Sequence, residues 1–198
     1  MTRSSLITLQ AIGVGFGVGA VAAIPLGFSI GLSPALERSL YYVIVLLNTL
    51  PKVALAPLLV VWFGHGLVSK VVLIAIGAFV PVLVDSIAGF KYLDRRLLYV
   101  SRSAGASLFQ TFLFIRLPAA LPHIVSGLKT SLIIAVTVAI VVEYVAATDG
   151  LGFVAMRAVT NDDLPLVFAT ITVGTLIGFG VNAVMSVVEW LLLPWKGA

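Results

Sequence analysis

The sequence predicts an all-α integral membrane protein, a bundle of five spanning helices, and two observations carry that expectation. Hydrophobic residues make up 61% of the 198 positions and charged residues 10%, against roughly 25% charged in ordinary globular proteins. With a mean hydropathy of +1.18, the 12 basic and 8 acidic side chains cannot clothe a soluble surface. The apolar residues also gather into five stretches of about the 20 residues that a spanning helix needs, without the alternation of a membrane barrel. A disordered chain is excluded by the same composition. The absence of cysteine excludes a disulfide scaffold, thiol catalysis and thiolate metal sites.

The first stretch runs from Leu6 to Leu32. Arg3 and Ala20-Val21-Ala22 give it some likeness to a signal peptide. It is expected to be a retained span, because the apolar run continues past that point and Gly13, Gly15, Gly17 and Gly19 interrupt it. Gly13-Gly17, Gly15-Gly19, Gly27-Gly31 and Gly174-Gly178 have the spacing that lets membrane helices approach closely, although glycine is also simply common in such helices. The second stretch, Tyr41 to Phe63, contains Pro51 and Pro57. These should break or kink it and free backbone groups that something must satisfy. Val68 to Ala88, Ser126 to Ala147 and Pro165 to Leu193 complete the set, so residues 1–198 form a single transmembrane domain.

Orientation follows from the basic residues. Segment 89–129 carries Lys91, Arg95, Arg96, Arg102, Arg116 and Lys129, half of the Lys and Arg in the chain, against Asp94 alone. By the positive-inside rule it is cytoplasmic, and a pI near 9.6 then reflects topology rather than a nucleic-acid partner. The Ser33 to Leu40 loop and Lys196 follow it inside. The N-terminus, the Gly64 to Ser69 loop and the Thr148 to Leu164 loop fall outside.

Segment 89–129 is longer and more apolar than a simple connection requires. Asp94 is placed to cap a helix that runs to about Ala104, and Gly105 to end it. Ser107 and Gln110 have capping-box spacing for a second short helix, which Pro118 should close. The expectation is a helix-turn-helix at the cytoplasmic surface whose apolar side chains need a partner.

Gly105, nine residues, then Ile115-Arg116-Leu117-Pro118 resembles the later part of the "EAA" loop of ABC importer permeases. The text around it is similar to the nitrate, sulfonate and taurine branch, as are Leu50-Pro51 to Pro57-Leu58, Trp62-Phe63-Gly64 and Glu143-Tyr144-Val145-Ala146-Ala147-Thr148-Asp149-Gly150-Leu151-Gly152. The resemblance spans about Thr8 to Trp195. It implies the type I importer permease (MetI-like) fold and a non-catalytic subunit of the prokaryotic plasma (inner) membrane, with the N-terminus outside and the C-terminus cytoplasmic. Implied partners are cytoplasmic ABC ATPase subunits, a second permease subunit in a homo- or heterodimer, an external or periplasmic substrate-binding protein, and membrane lipid. No cofactor is implied in this chain, because ATP and Mg belong to the ATPase, and no GxxxxGK[ST] loop is present.

The same resemblance makes 89–129 the ATPase-coupling loop, with Tyr99, Ser101, Arg102, Gly105, Ala106, Ser107, Ile115, Leu117 and Pro118 as its residues. Two departures stand out: the family's E-A-A positions fall on Tyr99, Val100 and Ser101, and the first span of many six-span members has no counterpart. The solute would be small, of oxyanion, sulfonate or vitamin-precursor type.

The translocation path is assigned to Asn48, Pro51, Pro57 and Glu143. Glu143, an acid inside a span, reads as facing a cavity or a partner, or as an interfacial helix-end residue. Lys52 and Asp85 are placed to pair, or Lys52 snorkels alone. Asn48 and Asn182 read first as interhelical hydrogen-bonding residues. His65 and His123 fall on opposite sides and cannot share a metal or catalytic centre, and no such centre is expected elsewhere. The alternative class is a self-contained secondary carrier or channel, which calls for several mid-membrane ionisable residues and inverted repeats. Neither is clear here.

Overall fold

A computed structural model describes residues 1–93 and 95–194, without the side chain of Arg95. The expected cap at Asp94 and the basic terminus at Lys196 fall outside these residues. In chain order the helices are α1 (Thr2–Leu32), α2 (Pro34–Thr49), a 3-10 turn (Lys52–Leu55), α3 (Ala56–Phe63), α4 (Leu67–Lys91), α5 (Arg95–Ser103), α6 (Leu108–Thr111), a π-turn (Phe112–Arg116), α7 (Leu117–Ala146), α8 (Leu151–Thr160) and α9 (Leu164–Leu192). Among the described residues, four helical stretches are long and apolar enough to cross a membrane. The α2–α3 pair makes a fifth crossing if it is counted as one span, bent by 79°. The break falls at Leu50-Pro51, because a proline supplies no N–H for the helix ladder and pushes its predecessor out of helical geometry. Leu50 accordingly has ψ 127°.

The core is built from α1, α4 and α7. The buried face of α1 is Thr8, Ile12, Gly15, Gly19, Ala23, Gly27 and Ile30, a stripe at steps of three and four. It runs parallel to α4, since a Cβ on Gly15 would meet Ile74 (2.7 Å), one on Gly19 the Ala75 carbonyl (2.7 Å) and one on Gly27 the Cβ of Ser86 (2.5 Å). Helix α7 runs antiparallel to α4: Gly77 faces Val138, Gly127 faces Asp85, and Gly89 faces Ala120 and His123. The glycine spacing therefore has a definite cause at Gly15-Gly19 and Gly27-Gly31. Gly13 and Gly17 have nothing within 4 Å and take no part in the seam. Gly19→Leu should lower the midpoint of thermal unfolding in detergent by the cost of overpacking, about 1–3 kcal/mol or more, whereas Gly13→Leu should not. Equal midpoints for the two variants would contradict this seam.

The remaining spans are thinly covered. Helix α2 buries no residue, and α9 buries only Thr170, Gly174 and Met185. Helix α9 lies antiparallel to α7, with Gly174 on Ile140 and Gly178 on Val136. Between them an apolar groove of about 620 Å³ is lined in part by Val136, Ile140, Gly174 and Asn182. At one end of the bundle Lys91 pairs with Glu37 (2.7 Å) and Lys129 with Glu189.

Several expectations need correction. The Ser33 to Leu40 segment is already helix: Ser33 caps α2, accepting from Leu36 N (3.4 Å), and Pro34 opens it, where a missing N–H costs nothing. The Thr148 to Leu164 loop contains α8. Pro118 does not close the second short helix; it sits in the first turn of α7. The widened π-turn before it carries the ladder past the missing donor, with Leu117 N bonding to Phe112 O. Lys52 donates to the Asn48 carbonyl (3.2 Å) and not to Asp85, which lies beside His123 and Ser126. Asn48 itself is exposed, so it faces away from the bundle rather than linking helices within it.

Candidate functional site

Two local constructions stand at opposite ends of the bundle. The first is the α5–α6 hairpin. Helix α5 ends in a double capping bond, Ala106 N to Ser101 O and Gly105 N to Arg102 O, both 3.0 Å, with Gly105 at φ +72°. This is the glycine-dependent C-terminal motif in which a left-handed residue turns the chain and satisfies the last carbonyls. Two residues later Ser107 caps α6 reciprocally: Gln110 N donates to Ser107 Oγ (3.2 Å) and Ser107 N donates to Gln110 Oε1 (2.9 Å). Thr111 Oγ1 then donates to Ser101 Oγ (3.3 Å), whose own hydroxyl donates to Leu98 O (3.0 Å). The corner is thereby fixed from both sides.

This fixed corner carries a bare apolar tip. Leu108 is 92% exposed, Phe109 71% and Phe114 72%. A shallow groove of about 520 Å³ opens between the two arms over Ala104, Gly105 and Ala106, with Val100 and Phe114 at its edges. Tyr99 and Arg102 are exposed, Ser101 is buried, and Ile115, Leu117 and Pro118 are half-buried at the base. Large exposed apolar side chains at a rigid polar corner are the surface expected of a docking element.

The second construction was not foreseen as a unit. Glu143 is fully buried, and its carboxylate is enclosed by the chain itself. Oε2 accepts from Thr8 Oγ1 (2.7 Å) and from Gly152 N (3.2 Å). Oε1 accepts from Lys70 Nζ (3.3 Å). Lys70, itself 3% exposed, also donates to the Asp149 carbonyl (2.9 Å) and to the Asp149 carboxylate, so all three ammonium protons have acceptors. Thr8 Oγ1 in turn accepts from Leu151 N (3.0 Å). Glu143 and Thr8 thus cap α8 from outside it, and a carboxylate at a helix N-terminus is favoured by the dipole there.

Glycines make room for this arrangement. A side chain on Gly150, which has φ +105°, would run into the Glu143 carboxylate, and one on Gly152 into the Ile140 carbonyl. The structure therefore seals Glu143 inside the bundle, whereas Asn48, Pro51 and Pro57 are exposed. Lys70 and Thr8 escaped the sequence reading. The available signal was a lysine at the start of an apolar span in a chain whose fourth span carries an acid needing a partner. His65 and His123 lie near opposite ends of α4, roughly 33 Å apart along a helix of 1.5 Å rise per residue.

Long spans, one broken span and a capped hairpin offering an apolar tip are the features of a membrane protein with a surface for a further component. The chain belongs to the family of binding-protein-dependent transport system inner membrane components, whose model matches residues 18–194. It is 34% identical over 189 residues to the formylaminopyrimidine transport permease protein ThiX of Halalkalibacterium halodurans, covering 96% of this chain and 76% of that protein. It is 36% identical over 174 residues to the taurine transport system permease protein TauC of Escherichia coli, covering 88% of this chain and 63% of that one. Among solved structures, the MetNI methionine ABC transporter in an inward-facing conformation matches with a TM-score of 0.84 at 20% identity, covering 96% of this chain and 95% of that chain. The fold is that of a MetI-type permease. The chain is the non-catalytic permease component of an ABC importer and a multi-pass inner-membrane protein, and its family implies ATPase and binding-protein partners.

Proposed function

We propose that this permease carries a small solute of oxyanion, sulfonate or vitamin-precursor type across the prokaryotic plasma membrane, along a path it shares with a second permease subunit. The supporting relatives are permeases of formylaminopyrimidine, taurine and riboflavin systems. The nearly uncovered α2 and α9 are the flanks that a second subunit would cover. Asn48, Pro51 and Pro57 line the path, and Glu143 supports it from behind through α8. The hairpin end, with Arg38, Lys91, Arg96, Arg102 and Arg116, is cytoplasmic and receives the ATPase, and the α8 end faces the binding protein. The N-terminus is then outside and the C-terminus cytoplasmic.

The observation that carries this reading is the fixed hairpin corner with Leu108, Phe109 and Phe114 exposed around it. Residues 99, 101, 102, 105–107, 115, 117 and 118 form its docking arm and base. Co-expressed with candidate cytoplasmic ATPases, the chain is expected to co-purify with one of them. Ala106→Glu, which places a charge in the groove, should abolish that complex while leaving the chain in the membrane. An ATPase retained at wild-type level by Ala106→Glu, or uptake that persists with no ATPase present, would overturn the reading.

A further inference from the structure

The hairpin meets the spanning bundle at a narrow place. Its two arms are tied to each other by the double cap, the reciprocal Ser107–Gln110 bonds and the Thr111–Ser101 hydroxyl pair. The main contacts of α6 are with the π-turn that follows it. That turn is the one stretch between hairpin and α7 where the ladder departs from α-helical spacing, with Leu117 N reaching back to Phe112 O. Widened turns of this kind often sit at functional sites.

Phe112, the first residue of the turn, fills an aromatic notch between two other helices. Its ring centroid lies 4.9 Å from that of Phe28 on α1, at 63°, and 6.5 Å from that of Phe90 on α4, near parallel at 19°. Phe28 and Phe90 meet each other edge-on at 5.0 Å. Phe90 is 4% exposed and its Cβ lies 3.0 Å from where a Cβ on Gly31 would stand, so the notch is backed by the close α1–α4 seam. Phe112 also packs into the apolar cluster of Phe90, Ala120 and Ile124. One side chain thus touches α1, α4 and the start of α7 while its backbone belongs to the hairpin's root.

We propose that Phe112 is the positioning residue through which displacement of the docked hairpin reaches the spanning helices, the π-turn acting as hinge and the Phe28–Phe90 notch as its seat. The proposal rests on the docking reading of the hairpin. A hairpin without this seat would stay joined to α7, with which α6 and the π-turn form one helical stretch from Leu108 to Ala146, but would lose its aromatic hold on α1 and α4. With the ring in place, rotation of the hairpin must drag the cytoplasmic ends of α1 and α4 against α7.

Two measurements test it. In the complete complex of permease, ATPase and binding protein, Phe112→Ala should retain the ATPase yet lower solute uptake per ATP hydrolysed by about fivefold, a size usual for residues that modulate coupling. Phe112→Tyr, which keeps the ring, should stay close to wild type. In the detergent-purified chain alone, which has no native cysteine, spin labels on cysteines at the exposed Leu36 and Leu108 should give a narrow distance distribution that broadens in Phe112→Ala. Unchanged uptake per ATP with the ATPase bound, or an unchanged distance distribution, overturns the proposal and leaves the docking reading intact. Retention of the ATPase by Ala106→Glu overturns the docking reading instead, and the distance measurement still decides whether Phe112 seats the hairpin.

Discussion

Lys70→Met is expected to destabilise the chain by about 3–5 kcal/mol, the usual cost of removing one partner from a buried ion pair. The substitution nearly conserves volume, so the loss is electrostatic. It leaves the Glu143 carboxylate buried with only the Thr8 hydroxyl and the Gly152 N–H for company, and strips the Asp149 carbonyl of its donor. Adding Glu143→Gln should recover much of the loss, because the uncompensated charge is then gone. Thermal unfolding in detergent of wild type, both single variants and the double variant gives the coupling between the two sites. A double variant no more stable than Lys70→Met would show that Lys70 does not act through the charge of Glu143. The surface pair Lys91–Glu37 is the natural contrast, since solvent screens ion pairs held at an exposed site.

The second large effect concerns Gly152. Its α-carbon sits against the backbone of α7, where a methyl group would meet the Ile140 carbonyl, Glu143 Cβ (2.7 Å) and Tyr144 N (2.7 Å). Backbone cannot turn aside as a side chain can, so Gly152→Ala should push α8 off α7 and pull its N–H away from Glu143. The expected loss exceeds the usual 1–3 kcal/mol for overpacking, because a buried hydrogen bond goes with it. Gly180→Ala is the control: nothing lies within 4 Å of that position, and alanine there should be neutral or slightly stabilising through helix propensity. A Gly152→Ala chain that unfolds at the wild-type temperature would mean that α8 is not held as described.

What the sequence disclosed divides along physical lines. The five apolar stretches, the break at Pro51 and the capped corner at Gly105 and Ser107 are local features, fixed by composition or by residues within a few positions of one another. They were legible. The expected closure at Pro118 failed because the π-turn before it carries the ladder past the missing N–H; Pro25, Pro81 and Pro122 likewise sit inside continuous helices. Helix α8 was missed because it is short and buries only Leu151, Gly152 and Ala158, too few for a pattern. The partner of Glu143 was out of reach for a different reason. Lys70 is 73 residues away in sequence, and only the antiparallel packing of α4 and α7 brings the two together. For the loop proposed to dock the ATPase, the resemblance named the residues, and the structure added how the corner is held. The proposed path residues were legible as polar or helix-breaking types, and a partner for Glu143 stood among the alternatives without Lys70 being named.

The bend between α2 and α3 has a consequence for genetics. Where a helix stops, its last carbonyls lose their partners, and inside a membrane irregular backbone persists only against protein or a water-filled cavity. On the proposed path, the break at Leu50-Pro51 would present a moving solute with main-chain oxygens, which every amino acid carries alike. Scanning mutagenesis, which edits side chains and leaves the peptide groups untouched, would pass over such a contact in silence. An amide-to-ester exchange introduced across residues 50–52 by semisynthesis, which alters the main chain itself, is the kind of edit that would make it visible.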